Sequence, residues 1–427
     1  MSEFFLTTRR EFLHRGLYLI GVGATIPSFL ERTAWAFGDP TAETGLGTAR
    51  LGTDDRVLVV IQLAGGNDGL NTLIPFRADP YFKARPRLAI PKDEVLKIND
   101  EWGLHPAAKG LKSLLDDGQL AIIHGVGYPN PNRSHFKSTD IWSTASPDGR
   151  LHEGWIGRYF DNCCKGADPC DPQSGIAIVG EEPLAMLGEK FHPVAFQRPD
   201  TLTIRAAERD KGLGKTIEEM NAPVDEPASS GRIRTLDFLR RTAMDARVSS
   251  DQIRKTVESN ARPEFGRNGL AQSLQMVAKM IAAKMPTRVY YVSLGGFDTH
   301  SNQAARHRQL LEQLGSALQA FVAALKESGH WDRTLVMTFS EFGRRVAENA
   351  SGGTDHGAAA PLLVAGGAIK PGLLGKAPSF ENLVNGDLAH TVDFRTIYAA
   401  VLGDWFKADA NKILGGKFER FPILNHG

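Results

Sequence analysis

Acidic and histidine side chains gather where apolar segments of this sequence begin or end. The apolar segment 288–296 leads into Asp298 and His300, and the apolar segment 333–340 leads into Glu341. Carboxylate oxygens and imidazole nitrogens together form the donor set that suits Zn²⁺, Mn²⁺ or a similar ion. The pattern therefore predicts a divalent metal site or a shared polar active site. The predicted metal-ligating residues are Asp68, Asp298, His300, Glu341, Asp355 and His356.

Each of these residues also has an alternative interpretation without metal. A glycine-flanked aspartate after a strand closes a turn or caps a helix more often than it binds metal, and this applies to Asp68 and Asp355. For His356 the alternative is an ordinary loop histidine with satisfied hydrogen bonds. The recurrence of such residues at four strand ends favours a common site over four separate turns.

A serine at the predicted start of a helix is the candidate nucleophile. The turn YPNPNR precedes Ser134 and the helical pattern HFKSTDIW follows it, so Ser134 is predicted to be an N-cap. A helix N-terminus favours anions, and a hydroxyl near a divalent cation can lose its proton and attack phosphorus or sulfur. Arg133 and His135 flank Ser134 as candidates to hold an oxyanion or to protonate a leaving group. The alternative is that Ser134 only caps the helix.

Five apolar runs predict the strands that position these residues. The runs lack polar alternation, which is typical of strands buried on both faces of a sheet. Helical patterns separate them, so the predicted fold class is α/β, a large and mostly parallel sheet with helices on both faces. Ligands of such sheets bind beyond the carboxyl ends of the strands. The predicted strands are 56–66, 119–127, 288–296, 333–340 and 360–367, and the predicted helices include 105–118, 267–285, 302–329 and 393–406.

Composition limits the partners that this chain can have. The chain has 427 residues and a formal net charge of +1, which gives no electrostatic reason to expect nucleic acid as a partner. Residues 37–427 are predicted to form one α/β domain. Within it, the polar and arginine-rich segment 195–262 predicts a helical insertion that caps the sheet and shapes the pocket.

The N-terminus has the pattern of an export signal. Arg9 and Arg10 precede a short apolar segment, and Ala34 and Ala36 form a small-residue cleavage site. The paired arginines resemble the twin-arginine type of signal, so residues 1–36 are predicted to engage the twin-arginine export machinery. The alternative is a short membrane anchor that is never cut. We expect export to the periplasm or cell surface, with no stable membrane span after cleavage, because later segments lack 18 uninterrupted apolar residues.

Three cysteines lie close together, at Cys163, Cys164 and Cys170. After export to an oxidising compartment, Cys170 can form a disulfide with one of the adjacent pair. The alternative is that no disulfide forms. A thiolate metal site needs more ligands than this cluster offers.

Several motifs resemble one exported family. In chain order they are LAGGNDGLNT, VGYPNPNRSHF, GGFDTHSNQ, TFSEFGR and TDHGAAAPLLVAGG. Together they resemble the family catalogued as domain of unknown function 1501, over nearly the whole chain after the signal. That family is placed in the alkaline phosphatase and sulfatase superfamily. The resemblance implies an alkaline-phosphatase-like α/β sandwich with one or two metal ions, acting on phosphate or sulfate esters.

The resemblance also implies roles for individual residues. Asp68 matches the aspartate after the first strand that binds metal, and Ser134 matches the nucleophile. His356 matches the last metal histidine, with Asp355 as a possible second ligand. Glu341 stands where the superfamily carries an aspartate followed by a histidine, so one imidazole is missing.

One ion is therefore expected in place of two. The resemblance favours Asp298, His300 and His356 as its ligands. Asp68 and Glu341 would hold a second ion or orient the residues around the first. The ion is Zn²⁺, Mn²⁺, Mg²⁺ or Ca²⁺.

The predicted function is an exported metal-dependent hydrolase of phosphate esters, with a small-molecule or glycan ester as substrate. Sulfate esters are less favoured, because no cysteine occupies the nucleophile position. One alternative is a non-catalytic binding or assembly protein of the cell surface with the same fold. Another is transfer of a phosphorylated headgroup to surface glycans.

Overall fold

The five apolar runs form the middle of one large sheet. In the computed structural model, which describes residues 55–163, 171–199, 252–258 and 265–425, nine strands join this sheet in the order β11-β5-β10-β9-β1-β8-β6-β7, with β14 beside β5. The strands are β1 (Val57–Ala64), β2 (Leu73–Ile74), β3 (Leu96–Lys97), β4 (Gly103–Leu104), β5 (Leu120–Gly127), β6 (Gly175–Ile178), β7 (Val194–Ala195), β8 (Val289–Gly295), β9 (Thr334–Phe339), β10 (Ala360–Gly366), β11 (Gly372–Leu374), β12 (Leu383–Val384), β13 (Asp387–Leu388) and β14 (Val392–Asp393). The predicted strands are thus confirmed.

The sheet is parallel except at β10. Strand β1 pairs in parallel with β8 on one side and β9 on the other, so that Val60 lies opposite both Tyr291 and Met337. Strand β10 runs antiparallel to β9 and to β5. Its first residue, Ala360, therefore lies at the edge of the sheet where its neighbours end. The prediction of a mostly parallel sheet is confirmed.

The helices connect successive strands, as the alternating pattern predicts. The helices of the sheet-containing part are α1 (Gly69–Thr72), α2 (Asp79–Ala84), α3 (Lys109–Asp116), α4 (His135–Thr144), α5 (Trp155–Cys163), α6 (Gly269–Ala282), α7 (Gln303–Glu327), α8 (Phe394–Ala400) with a π-helical turn (Val401–Trp405), and α9 (Ala410–Leu414). Short 3₁₀ turns lie at Pro172–Ser174 and Leu184–Met186. Among the described residues, none of the helices has the length and apolar character needed to cross a bilayer.

Both faces of the central strand are buried. Leu58 and Val60 point into a core that α4, α5 and α8 share, while the alternating residues Val59 and Ile61 are also fully buried on the opposite face. Helix α7 packs against both α3 and α6, and α6 packs against β8. This covering explains why the strands are continuously apolar.

Stacked aromatic rings fix the helix that carries Ser134 and His135 at its start. Trp142 of α4 stacks on Phe394 of α8 with ring centroids 4.3 Å apart, and Trp155 of α5 stacks on Tyr398 of α8 at 4.2 Å. Offset aromatic pairs of this kind stabilise packing beyond the area they bury. The start of α4 is therefore held by a rigid core.

By its contacts, the chain divides into two units. One consists of Gly47–Ala195 with Asn260–Gly427 and contains the sheet; the other consists of Met1–Leu46 with Phe196–Ser259. Of the second unit, residues 196–199 and a helical segment at 252–258 are described.

Some of the sequence predictions fall outside the described residues. The predicted signal at 1–36, most of the predicted insertion at 195–262, and Cys164 and Cys170 of the predicted disulfide are among them.

Candidate metal centre

The candidate centre lies at the carboxyl edge of the sheet. Asp298 and His300 follow β8, Glu341 follows β9, and His356 precedes β10. Because β10 runs antiparallel, the segment that leads into it meets the segments that leave β8 and β9. Backbone hydrogen bonds join these segments, from Gly357 N–H to Gly343 O at 2.8 Å and from Thr354 N–H to Thr299 O at 3.1 Å.

Four side chains lie close together at this edge of the sheet, and they belong to His135, Asp298, His300 and His356. Asp298 Oδ1 lies 3.0 Å from His300 Nε2 and 3.3 Å from His356 Nε2, and the two Nε2 atoms lie 2.9 Å apart. His135 Nε2 lies 3.5 Å from Asp298 Oδ2. Metal–ligand bonds of 2.0–2.1 Å in a tetrahedral site give ligand–ligand separations of about 3.3 Å. The His300 and His356 nitrogens and Asp298 Oδ1 therefore have the spacing of ligands of one small cation. His135 approaches the other oxygen of the same carboxylate, and ligand atoms of His135, Asp298 and His356 all lie within 4.8 Å of one another.

Each of the three histidines is held at its other ring nitrogen. His135 Nδ1 donates to Glu341 Oε1 at 2.8 Å, His300 Nδ1 donates to Asp355 Oδ1 at 3.1 Å, and His356 Nδ1 donates to the Arg133 carbonyl at 2.7 Å. These acceptors carry no proton to donate, so this network assigns the proton of each ring to Nδ1. All three Nε2 lone pairs are then directed to the centre, as in histidine metal sites that have a hydrogen-bonded outer shell.

Two buried polar atoms beside the centre lack hydrogen-bond partners. They are His135 Nε2 and Glu341 Oε2. Glu341 Oε1 is occupied by the Gly65 N–H at 2.8 Å as well as by His135. A buried imidazole nitrogen without a partner is costly, and a cation bound between His135 and Asp298 would satisfy it. The residues present thus fit a metal ion.

Arg344 controls the charge of Asp298. Partial burial of the Asp298 carboxyl opposes its ionisation, but the buried Arg344 guanidinium, which donates to Oδ1 at 2.7 Å, outweighs this and lowers the pKa of Asp298. Arg344 also donates to Gly66 O at 2.8 Å and to Thr354 O at 2.8 Å. It therefore fastens three segments around an ionised carboxylate.

Two further groups beside the centre, His356 and Asp355, have shifted pKa values that suit metal binding. Burial, followed by the charges of nearby Arg344 and His135, lowers the pKa of His356, which keeps this ring neutral. Hydrogen bonds from Asn349 and then His300 lower the pKa of Asp355. Asp355 thus orients His300 as an ionised acceptor.

Asp68 is not brought to the centre. Its carboxylate is fully buried and accepts from Arg85 at 2.6 Å, from the Asn71 N–H at 3.3 Å and from Gln303. Burial raises its pKa, but the Arg85 charge outweighs burial and lowers it overall. All its contacts are structural, and it caps α1, which is the alternative that the sequence had offered for this residue.

Arg133 and Ser134 border the centre through the backbone. The Arg133 carbonyl accepts from His356, while its guanidinium pairs with the buried Asp387. Ser134 is exposed at the N-cap of α4, and its side chain makes no capping hydrogen bond. Because consecutive Cα atoms lie 3.8 Å apart, Ser134 is held between two residues that touch the centre.

The sequence analysis missed two features of this centre. It treated His135 as an acid or oxyanion-binding residue, whereas the structure directs its Nε2 to the same point as His356. It gave Arg344 no role. The signal for Arg344 was its position three residues after Glu341 in SEFGR, at a strand end.

Comparisons with known proteins were made for the sequence and for the structure. A family model described as "Protein of unknown function (DUF1501)" matches residues 55–414. A search of curated proteins finds no match.

Solved structures with some similarity include three enzymes. The lipoteichoic acid synthase LtaP from Listeria monocytogenes is 11% identical, with 81% of this chain and 74% of that chain covered and a TM-score of 0.31. PsFucS1 sulfatase from Pseudoalteromonas sp. is 10% identical, with 84% and 68% covered and a TM-score of 0.35. The alkaline phosphatase from the Antarctic bacterium TAB5 is 8% identical, with 73% and 92% covered and a TM-score of 0.30. At these scores, function has to be argued from the side chains of the centre.

Proposed function

From the premise that the chain belongs to the DUF1501 family, whose description gives no function, we propose that it is an exported metal-dependent hydrolase of phosphate esters, with sulfate esters less favoured. One observation carries the proposal. Three imidazoles, each with Nδ1 bound to a fixed acceptor, direct Nε2 toward the Asp298 carboxylate at separations of 3.0 to 3.5 Å. Such an arrangement suits a cation and has no evident use as a hydrophobic or structural contact.

The ligand set of this proposal is His135, Asp298, His300 and His356. Three nitrogens and one oxygen favour Zn²⁺ or Mn²⁺ over Mg²⁺ and Ca²⁺, which prefer oxygen ligands. A bound ion would supply Lewis acidity for the ester and would favour loss of a proton from a nearby hydroxyl. Glu341 and Asp355 are then orienting residues, and Asp68 is a structural residue.

Ser134 is the proposed nucleophile. It lies at the N-terminus of α4, where backbone N–H groups and the helix dipole favour a phosphate. In the first step a Ser134 Oγ–P bond forms while the P–O bond to the alcohol breaks, and the serine proton ends on the alcohol. Water then cleaves the seryl ester, which restores the hydroxyl and releases phosphate. The Arg133 side chain is partly exposed, so its guanidinium remains a candidate to contact the substrate anion.

A non-catalytic binding protein of the cell surface is the second candidate. The observation in its favour is the ion pair between Arg344 and Asp298, which compensates the carboxylate without a metal. Under this proposal the histidines would share protons with Asp298 and bind no ion.

The experiment is elemental analysis of the purified mature protein, followed by assays with aryl phosphate, phosphodiester and aryl sulfate substrates. We expect close to one equivalent of zinc or manganese, and phosphate release that Ser134→Ala abolishes. Metal-free protein that takes up no added ion would overturn the metal centre. A Ser134→Ala variant as active as the parent would remove Ser134 from the mechanism.

A further inference from the structure

The exposed large apolar side chains lie on two segments that are connected to the candidate metal centre. Within the described ranges, the exposed ones are Phe136 at 87%, Val384 at 49% and Leu383 at 38%. Phe136 directly follows the candidate ligand His135. We call these three residues the rim patch.

Polar contacts tie both parts of the rim patch to the centre. Leu383 and Val384 form β12, which pairs with β13 in a hairpin whose turn contains Asn385. Arg133 donates to the Asn385 carbonyl at 3.5 Å, and its own carbonyl holds His356. The hairpin is therefore joined to the segment that leads into α4.

A second arginine makes the same connection from the other side. Arg345 donates to the Asn385 carbonyl at 2.9 Å, and its backbone N–H donates to the Asp355 carbonyl at 3.0 Å. Both Arg133 and Arg345 pair with Asp387 of β13. The hairpin is thus bonded to both of the segments, one before α4 and one after β9, that carry proposed ligands.

The charges of this rim favour an anion. Arg133 and Arg345 are each partly exposed and share one buried carboxylate, that of Asp387, and Lys137 is exposed next to Phe136. Arg345 Nε lies 3.4 Å from Asp387 Oδ1 in this ion pair. Exposed carboxylates near these cations are Glu381 on the hairpin side and Asp355, which interacts with Arg345. The two arginines nevertheless share only one buried carboxylate, that of Asp387.

Resting on the proposed function, we propose that the rim patch binds the apolar part of the substrate, which is then a phosphate ester of an aliphatic or aryl alcohol. The phosphate would lie between the metal centre and the two arginines, and the alcohol portion would lie over Phe136 and the hairpin. Scattered exposed apolar residues are ordinary on a protein surface, but here they lie on two segments that polar contacts join to the candidate centre. Removal of apolar surface from water supplies the binding energy.

The test compares esters that share the phosphate and differ in the alcohol. Methyl, butyl and octyl phosphate are assayed as monomers for phosphate release with the parent, with Phe136→Ser and with a Leu383→Ser, Val384→Ser double variant. We expect kcat/KM of the parent to rise about tenfold from methyl to octyl, well below the roughly fourfold per methylene of full burial. Both variants should reduce this ratio to about twofold.

A control variant separates the patch from general stability. Phe82→Ala removes a partly buried aromatic from a small cluster on α2, and it should keep the parent ratio of octyl to methyl phosphate. The inference is overturned if the parent shows no preference for octyl phosphate, or if the rim variants keep that preference. A rate that rises only where octyl phosphate forms micelles would indicate a lipid surface as the ligand and would also overturn it.

Failure of the proposed hydrolase is distinguishable from failure of this inference. If no ester is hydrolysed, the proposed function fails, and binding of methylphosphonate and octylphosphonate is compared by calorimetry. Tighter binding of octylphosphonate that Phe136→Ser removes would still support the rim patch. Equal binding of the two phosphonates, or none, would reject it.

Discussion

His300 Nε2 and His356 Nε2 face each other at 2.9 Å, while the Nδ1 atoms of both rings donate to fixed acceptors. Two imidazole lone pairs at this distance repel unless a proton or a cation lies between them. The pair is therefore the most sensitive point at which to test the proposed metal centre.

Removal of either histidine should strongly weaken metal binding. His300→Ala and His356→Ala each delete one of four proposed ligands, so we expect the affinity for Zn²⁺ to fall by more than the roughly 10- to 100-fold typical of outer-shell changes. Competition with a chelating dye measures this. His152→Ala is the control, since His152 is exposed and lies outside the cluster. Unchanged affinity in both site variants would contradict the centre.

Glu341→Gln should weaken metal binding without removing a ligand. Glu341 accepts from His135 Nδ1 and from the Gly65 N–H, and loss of its charge makes the imidazole a poorer donor to metal. We expect a decrease in Zn²⁺ affinity of about 10- to 100-fold, with binding still at one equivalent. The Asp355→Asn variant tests the same argument at His300. An affinity equal to that of the parent would show that these carboxylates do not tune the site.

Asp68→Asn separates a structural role from a metal-binding one. The change breaks a fully buried ion pair with Arg85, so we expect a loss of about 3–5 kcal/mol in the free energy of unfolding. Metal content should stay at the parent value. Urea denaturation and elemental analysis measure the two effects, and Asp148→Asn, at an exposed ion pair, provides the control for charge removal. Loss of metal with unchanged stability would return Asp68 to the ligand set.

Acid should destabilise the fold through a buried histidine. Burial of His307 lowers its pKa to about 4, while the unfolded chain has a value near 6.5, so the unfolded state binds more protons as the pH falls. The stability that depends on neutral His307 is present above pH 6.5 and is lost as the pH falls from there toward 4. We expect this residue to account for a loss on the order of 2 kcal/mol between pH 7.5 and 5.0.

The measurement is the urea midpoint of the parent and of His307→Gln at both pH values. The variant retains a donor for the Asn67 side chain, which accepts from His307 at 3.0 Å. It should therefore lose less stability on acidification than the parent, whatever its absolute stability. Identical pH dependence in the two proteins would exclude His307 as the cause. His152→Gln, at an exposed histidine, should behave as the parent.

The fold was largely predictable from the sequence because its strands are continuously apolar and its helices have clear end signals. Gly118, for example, follows α3 with a positive φ, and Asn268 caps α6 through its side chain. The sequence motifs were also sufficient to identify the DUF1501 family, and the family match over residues 55–414 confirms that identification.

The direction of β10 was not predictable, because a continuous apolar pattern is typical of a buried strand whether it pairs in parallel or antiparallel. The sequence showed only that His356 precedes a strand, and the antiparallel course of that strand is what brings His356 beside Asp298. The partners of His135 and Asp68 were hidden for a different reason. Glu341 lies 206 residues from His135 in the chain, and an aspartate after two glycines has the same local pattern whether it caps a helix or binds an ion.

The reversed course of β10 has a consequence for how this centre can change in evolution. Since the chain leaves β9 and returns to the same edge, the single stretch 341–356 supplies Glu341, Arg344, Asp355 and His356. An insertion or deletion inside that stretch would displace the proposed ligand His356 together with Arg344 and the carboxylates that orient the histidines. Homologous chains should therefore gain or lose residues elsewhere and keep the length of this stretch constant.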